Sequence, residues 1–255
     1  MEDKFKTLRA TLLGDGYLTP KTIGKVSTFR FGMEHSLKQY DYLQFKAQMI
    51  NKEMDRNCKT HKRKTREMAG YEVFCKKEFE KLRNQYYPNG KKCLMSILND
   101  VTNPLYTLAI WLADDGGVHW DVRKERKNKD PRIIICACDQ SVSQHNDMID
   151  WFSKVFGLKP KMITQKNSKR NTQWNLLRFS TKDSLQIWYM IKKFIYNIPS
   201  MQYKFRILES ELQKHLTKVE YNLSTSVRLQ QLMLDENVCR TSWRHEETED
   251  KKPLC

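Results

Sequence analysis

No apolar run in this chain approaches the roughly 18 residues that a membrane-spanning helix needs. The first ten residues, MEDKFKTLRA, mix both signs of charge and lack the apolar stretch of a secretory signal, so export is not expected. Seven cysteines include no CxxC pair, and six histidines form no cluster. These gaps argue against a zinc-finger framework and against a disulfide-stapled secreted domain. Cys58, Cys75, Cys93, Cys239 and Cys255 are scattered, while Cys136 and Cys138 alternate on one expected strand and share a face. Reduced thiols in an intracellular compartment are the expectation, with a zinc site from Cys136, Cys138 and His145 as the alternative. Acidic charge is also short: 30 Asp and Glu stand against 46 Lys and Arg, leaving a net +16. Such a balance points to a polyanionic partner, nucleic acid ahead of an acidic membrane.

What the chain does have is a nine-residue pattern written twice, 100 positions apart. Leu8-Arg9-Ala10-Thr11-Leu12-Leu13-Gly14-Asp15-Gly16 is matched by Leu108-Ala109-Ile110-Trp111-Leu112-Ala113-Asp114-Asp115-Gly116. Leu8 and Leu12, like Leu108 and Leu112, are four apart and share a helix face. Ala10 with Gly14, and Ala109 with Ala113, put small side chains on another face, where two helix backbones can approach closely. Gly16 and Gly116 suit left-handed helix caps. Asp15 and Asp115 would then lie at the negative ends of their helix dipoles, where a bound cation is the natural compensation.

The order of elements also repeats. After the first motif come strands to about Gly32, a helix from about Ser36 to Asn51 and a basic hairpin turning near Ala69-Gly70. A helix from Lys77 to Tyr87 closes the unit. The first of these helices has Leu37, Tyr40, Leu43, Phe45 and Ala47 as candidate apolar positions. After the second motif come strands from Val118 to Cys138, a helix from Asn146 to Phe156, strands from Lys161 to Phe179 and a helix from Lys182 to Tyr196. The fold class is α+β, with two pseudo-symmetric αββαββα units at 1–87 and 105–205. Residues 88–104 form the linker, and 206–255 a helical extension with a polar tail.

Basic residues concentrate in KTHKRKTR (Lys59 to Arg66), RKERKNKDPR (Arg123 to Arg132) and KPKMITQKNSKR (Lys159 to Arg170), each beside a segment of strand character. Strands carrying such residues can lie along a nucleic-acid groove, reaching phosphates and base edges. The candidates for that contact are Lys25, Arg30, Lys62, Arg63, Lys64, Arg66, Arg123, Lys124, Arg132, Lys166, Lys169, Arg170 and Arg178.

Both nonapeptides align without gaps to the signature of the LAGLIDADG homing endonucleases, and the chain resembles a single-chain member with two motifs over about Leu8 to Phe205. The resemblance implies a monomer whose motif helices pack together and whose antiparallel sheets hold double-stranded DNA. It implies that Asp15 and Asp115 bind two or more Mg²⁺ ions, with Mn²⁺ substituting. Gly14 and Asp114, just before them, are secondary metal-site positions. A basic residue beside each metal site corresponds to Lys92 (Lys91 close behind) and Lys204, and Gln140 resembles a polar neighbour of the metal site seen in some members. Its counterpart in the first unit falls near His35. The implied reaction hydrolyses one phosphodiester in each strand across the minor groove, leaving short 3′ overhangs at a long asymmetric target. Alternatives within the same fold are an intron maturase that binds intron RNA and a DNA-binding relative that no longer cuts. The expected compartment is a bacterial or phage-host cytoplasm, or the matrix of an organelle encoding the chain.

Overall fold

The computed structural model describes residues 4–24, 26–63, 66–121, 130–137, 140–167 and 172–211. Lys25, Lys64, Arg123, Lys124, Cys138, Lys169, Arg170 and the expected polar tail lie outside them. Met1–His215 group as one compact unit. It begins α1 (Lys6–Leu13), β1 (Tyr17–Ile23), β2 (Val26–Ser36), α2 (Tyr40–Met54), β3 (His61–Lys62), β4 (Met68–Phe74) and α3 (Lys77–Tyr86). A short helix α4 (Leu94–Leu98) leads to α5 (Pro104–Asp115), β5 (Gly116–Asp121), β6 (Asp130–Cys136) and α6 (Val142–Phe156). Then follow β7 (Lys161–Asn167), β8 (Thr172–Arg178) and α7 (Thr181–Tyr196). The chain is thus α+β, with the order αββαββα present twice. No described helix is long and apolar enough to cross a membrane.

Each copy builds a four-stranded antiparallel sheet, ordered β1-β2-β4-β3 in one and β5-β6-β8-β7 in the other. Side-chain alternation decides which face is covered. Strand β2 buries Phe31, Met33 and His35 under α2 and α3, and so turns Arg30 and Glu34 to the other face. Strand β4 does the same with Ala69, Tyr71 and Val73, leaving Glu72 beside Arg30. In the second sheet Ile133 and Ile135 go inward, so Arg132 and Ile134 face away from the core.

The motif helices pack against each other between these two halves. On α5 every residue from Tyr106 to Asp114 is buried, as befits a helix with neighbours all round. Asn103 caps its start by accepting from the Tyr106 amide at 3.0 Å, and Pro104 takes the first turn. Helix α1 has Phe5 at its cap position and no local side-chain acceptor. Glu53 at the far end of α2 supplies one, accepting from the Thr7 amide at 2.9 Å. A carboxylate there also favours the positive helix end.

Several local expectations are corrected. Neither Gly16 nor Gly116 is left-handed; Gly116 is extended at φ −86, ψ 159. Glycine is needed there because the chain folds back over the last helical turn: a Cβ on Gly16 would lie 2.8 Å from the Thr11 carbonyl oxygen, and one on Gly116 2.5 Å from that of Leu112. Ala69-Gly70 is not a turn but the middle of β4, paired with Glu34 and His35 on one side and His61 and Lys62 on the other. Gly70 there leaves room for the His61 ring, 3.0 Å from where a Cβ would stand. Helix α2 buries Tyr42, Leu43, Lys46, Ala47 and Ile50, while Leu37 is exposed and Tyr40 and Phe45 are only half-buried. Helix α6 starts four residues before the expected Asn146, at a capping box in which Ser141 and Gln144 bond reciprocally. Cys58, Cys75 and Cys93 are free thiols, but Cys136 is disulfide-bonded, which departs from the expected reduced state and offers no thiolate to a Cys136–Cys138–His145 zinc set.

Candidate active site

Asp115 is the last residue of α5, and Asp15 lies just past the end of α1, so the packing of these helices carries both carboxylates to one place. Close approach is possible because Gly14 has no side chain. A Cβ there would stand 2.4 Å from the Cβ of Asp114 and 2.9 Å from its Oδ2. Burial first, and then the negative charge of Asp114, push the Asp15 carboxyl up to about 6. Burial and the charge of Asp15 push Asp115 up to about 7. Two acids held at this cost are a centre short of positive charge.

The lysines expected beside the motifs meet the helix ends symmetrically. Lys92 Nζ donates to the carbonyls of Gly14 at 3.0 Å and Gly16 at 2.8 Å. Lys204 Nζ donates to those of Ala113 and Asp114, the latter at 2.8 Å. Lys204 thus satisfies carbonyls left over in the last turn of α5, Lys92 those of the two glycines just past α1, and each brings positive charge beside an aspartate at a helix end. Burial lowers the pKa of Lys204.

Gln140 is buried, but its contacts are with the Lys92 segment. Its Nε2 donates to the Lys92 carbonyl at 3.0 Å and its Oε1 accepts from the Leu94 amide at 3.1 Å. A residue of the second half therefore fixes the backbone that carries the lysine of the first. His35 does lie at the centre: its ring is buried and Nδ1 is 3.6 Å from Asp15 Oδ2. Burial and nearby Lys46 lower its pKa to about 3, so the imidazole is neutral.

Asp15, His35 and Asp114 offer ligand atoms within 4.8 Å of one another. Asp114, however, is already engaged by Lys46, whose Nζ is 2.7 Å from its Oδ1 with neither side chain exposed. The carboxylates left to meet added cations are Asp15 and Asp115. Carboxylate oxygens at the ends of two helices fit a hard divalent ion that keeps much of its water. Lys46 escaped sequence reasoning because lysine is taken as solvated by default. Its signal was position: four residues after Tyr42 and four before Ile50, on the buried stripe of α2.

The basic residues are less uniform than expected. Arg30 holds Glu72 at 3.0 Å, and Arg63 holds Glu34 while lying 3.8 Å from Glu72. Lys62 pairs in register with Ala69 on the helix side, and its ammonium sits over Tyr40 at 5.4 Å. Arg66 is exposed in the β3–β4 connection. In the second sheet Arg132 and Arg178 line a groove with His119, Ile134, Gln165 and Leu176, whereas Lys166 is out of phase with Gln165 and faces the other way. The acids beside Arg30 and Arg63 were not foreseen.

Residues 7–187 match the model of the LAGLIDADG DNA endonuclease family. The chain belongs to that family. Among solved structures it is similar to the homing endonuclease I-WcaI bound to its DNA recognition sequence, with a TM-score of 0.55 and 23% identity over 79% of this chain and 84% of that one. That likeness concerns the fold. Curated relatives include Protein RecA of Mycolicibacterium flavescens, 28% identical over 80% of this chain and 46% of the relative. Another is the cytochrome b mRNA maturase bI2 of Debaryomyces hansenii, 24% identical over 80% of this chain and 73% of that protein. The chain spans about half the length of the RecA relatives it matches.

Proposed function

We propose that this LAGLIDADG family member is a site-specific homing endonuclease that hydrolyses one phosphodiester in each strand of a double-stranded DNA target, using Mg²⁺. The observation that carries this reading is the convergence of Asp15 and Asp115 at paired helix ends, each raised well above the ordinary carboxylate range. Divalent cations held there would supply an activated water and relieve charge on the attacked phosphate. The chain's own groups do the rest. Asp15 and Asp115 give one carboxylate to each half of the centre. Lys92 and Lys204 hold the helix ends in place and bring positive charge to them, where developing negative charge on DNA would be stabilised. Gln140 keeps the Lys92 segment in register. Arg30, Arg63, Arg132 and Arg178, on the sheet faces turned from the core, reach backbone and bases.

The test is incubation with plasmids carrying the DNA that flanks the open reading frame, joined as an empty insertion site. Linear product should appear with Mg²⁺ and not with EDTA. Cutting in EDTA would contradict the metal assignment. A second reading, intron maturase, draws on the similarity to the maturase bI2. It expects binding of the surrounding intron RNA and splicing that persists when Asp15 and Asp115 are both replaced.

A further inference from the structure

The ion pair between Lys46 and Asp114 joins the two halves of the molecule: the lysine is on α2 and the aspartate on α5. It exists in one copy only. Helices α2 and α6 are both 15 residues long, and the residue matching Lys46, seventh in each, is Met148, also fully buried. The residue matching Asp114 in the first motif is Gly14. Where one half has a charged pair, the other has a methionine and a glycine.

The pair also has a direction. Lys46 holds Oδ1 of Asp114, leaving Oδ2 to accept from the backbone amide of Asp15 at 3.4 Å. Tyr42 completes the setting: its ring lies 4.4 Å from the ammonium, its hydroxyl interacts with Asp114 and also donates to the Ile110 carbonyl at 3.2 Å. Gly14 makes room for the Asp114 carboxylate against α1. The buried carboxylate, held at Oδ1, turns Oδ2 toward the amide of the residue that carries the acid of the other half.

We propose that Lys46 and Asp114 are positioning residues for Asp15, fixing the backbone from which its carboxylate enters the centre once the two halves are docked. The proposal rests on the endonuclease reading for its catalytic consequence, though not for its geometry. Replacing a buried ion pair by apolar residues of fitting size commonly restores folding, whereas removing one partner strands the other. That separates support of the fold from positioning. Lys46→Met alone, which leaves Asp114 buried without its cation, should lower the melting temperature. Lys46→Met with Asp114→Ala removes both buried charges at once, placing at 46 the methionine of the other half and at 114 a small apolar side chain, and should melt near the parent and bind target DNA in EDTA as tightly.

If the pair positions Asp15, that double variant should still cut the two strands unequally. Nicked circles should accumulate, one strand slowed roughly ten- to a hundred-fold. In metal-free ¹⁵N-labelled protein, the Asp15 amide resonance should shift and exchange faster. A double variant that cuts both strands in the parent ratio, with an unmoved Asp15 amide, overturns the proposal and leaves the pair a packing feature. Should the double variant fail to fold, Asp114→Asn keeps the shape but not the charge. An unchanged strand ratio and Asp15 amide in that variant would equally overturn it. A parent protein that cuts no target refutes the endonuclease reading instead, and the amide measurement still decides the positioning claim.

Discussion

On the first sheet Arg30 and Arg63 are held by Glu72 and Glu34, while on the second Arg178 stands opposite Ile134 and Lys161, in a groove with no carboxylate among its described lining residues. The motif-helix ends of the two halves differ less: each has an aspartate, the last residue of α5 in one and two residues past α1 in the other, and a lysine on nearby backbone carbonyls. The comparison separates two jobs. Under the proposed function, reading an asymmetric target would call for unlike sheet faces, and an arginine that had to release a glutamate before meeting DNA would give selectivity more than raw affinity. Cutting two chemically identical backbones would call for like centres. The buried Lys46–Asp114 pair is where the likeness ends.

The largest expected effect comes from that pair. Lys46→Met should cost about 3–5 kcal/mol of folding stability by leaving a carboxylate buried without its cation. Met148→Leu, at the matching position, should cost less than about 1.5 kcal/mol. Denaturant unfolding of both variants checks this, and equal losses would erase the distinction between the halves. Next is the close approach of the motif helices. Gly14→Ala forces a Cβ onto Asp114 and should cost about 1–3 kcal/mol. Gly117→Ala in β5, where a Cβ would meet nothing within 4 Å, should stay within about 0.5 kcal/mol.

The sheet faces predict opposite changes in DNA binding. Glu72→Gln releases Arg30 and should tighten binding, whereas Arg178→Ala should weaken it and reduce the slope of log affinity against log salt by about one. Salt titrations by fluorescence anisotropy measure both. If Glu72→Gln leaves affinity unmoved, the first sheet's ion pairs do not restrain its arginines.

A further effect concerns pH. Asp15 and Asp115 titrate near 6 and 7 in the folded chain, against an ordinary 3.8. The folded state therefore holds these protons more tightly than the unfolded one. The stabilisation is full below about pH 4 and is lost as pH rises through 6 and 7. Metal-free protein should lose melting temperature from about pH 4 to pH 7 on this account, and Asp115→Asn should flatten the profile. A profile identical in that variant would mean Asp115 is not the strained acid.

Much of this was legible in the sequence where the signal was local and repeated. The doubled nonapeptide located both motif helices and both aspartates, and the order of elements gave two αββαββα units. Lys92 and Lys204 were reachable only through their position in each unit, since nothing local separates them from other lysines. What stayed hidden depended on partners far along the chain. Lys46 meets Asp114 across 68 residues, and Arg30 meets Glu72 across 42, so the charge runs could not say which cations were already spoken for. Glycines misled for a related reason. Gly16, Gly70 and Gly116 read as turn or cap residues, but each is small because another part of the chain passes close by.

The central claim is that Asp15 and Asp115, brought together by α1 and α5, form one centre that breaks both DNA strands. The direct measurement is plasmid cleavage with Mg²⁺ by Asp15→Asn and Asp115→Asn, alongside target binding in EDTA. Both variants should bind as the parent does and fail to linearise the plasmid. Full-rate linearisation by either one would contradict the account.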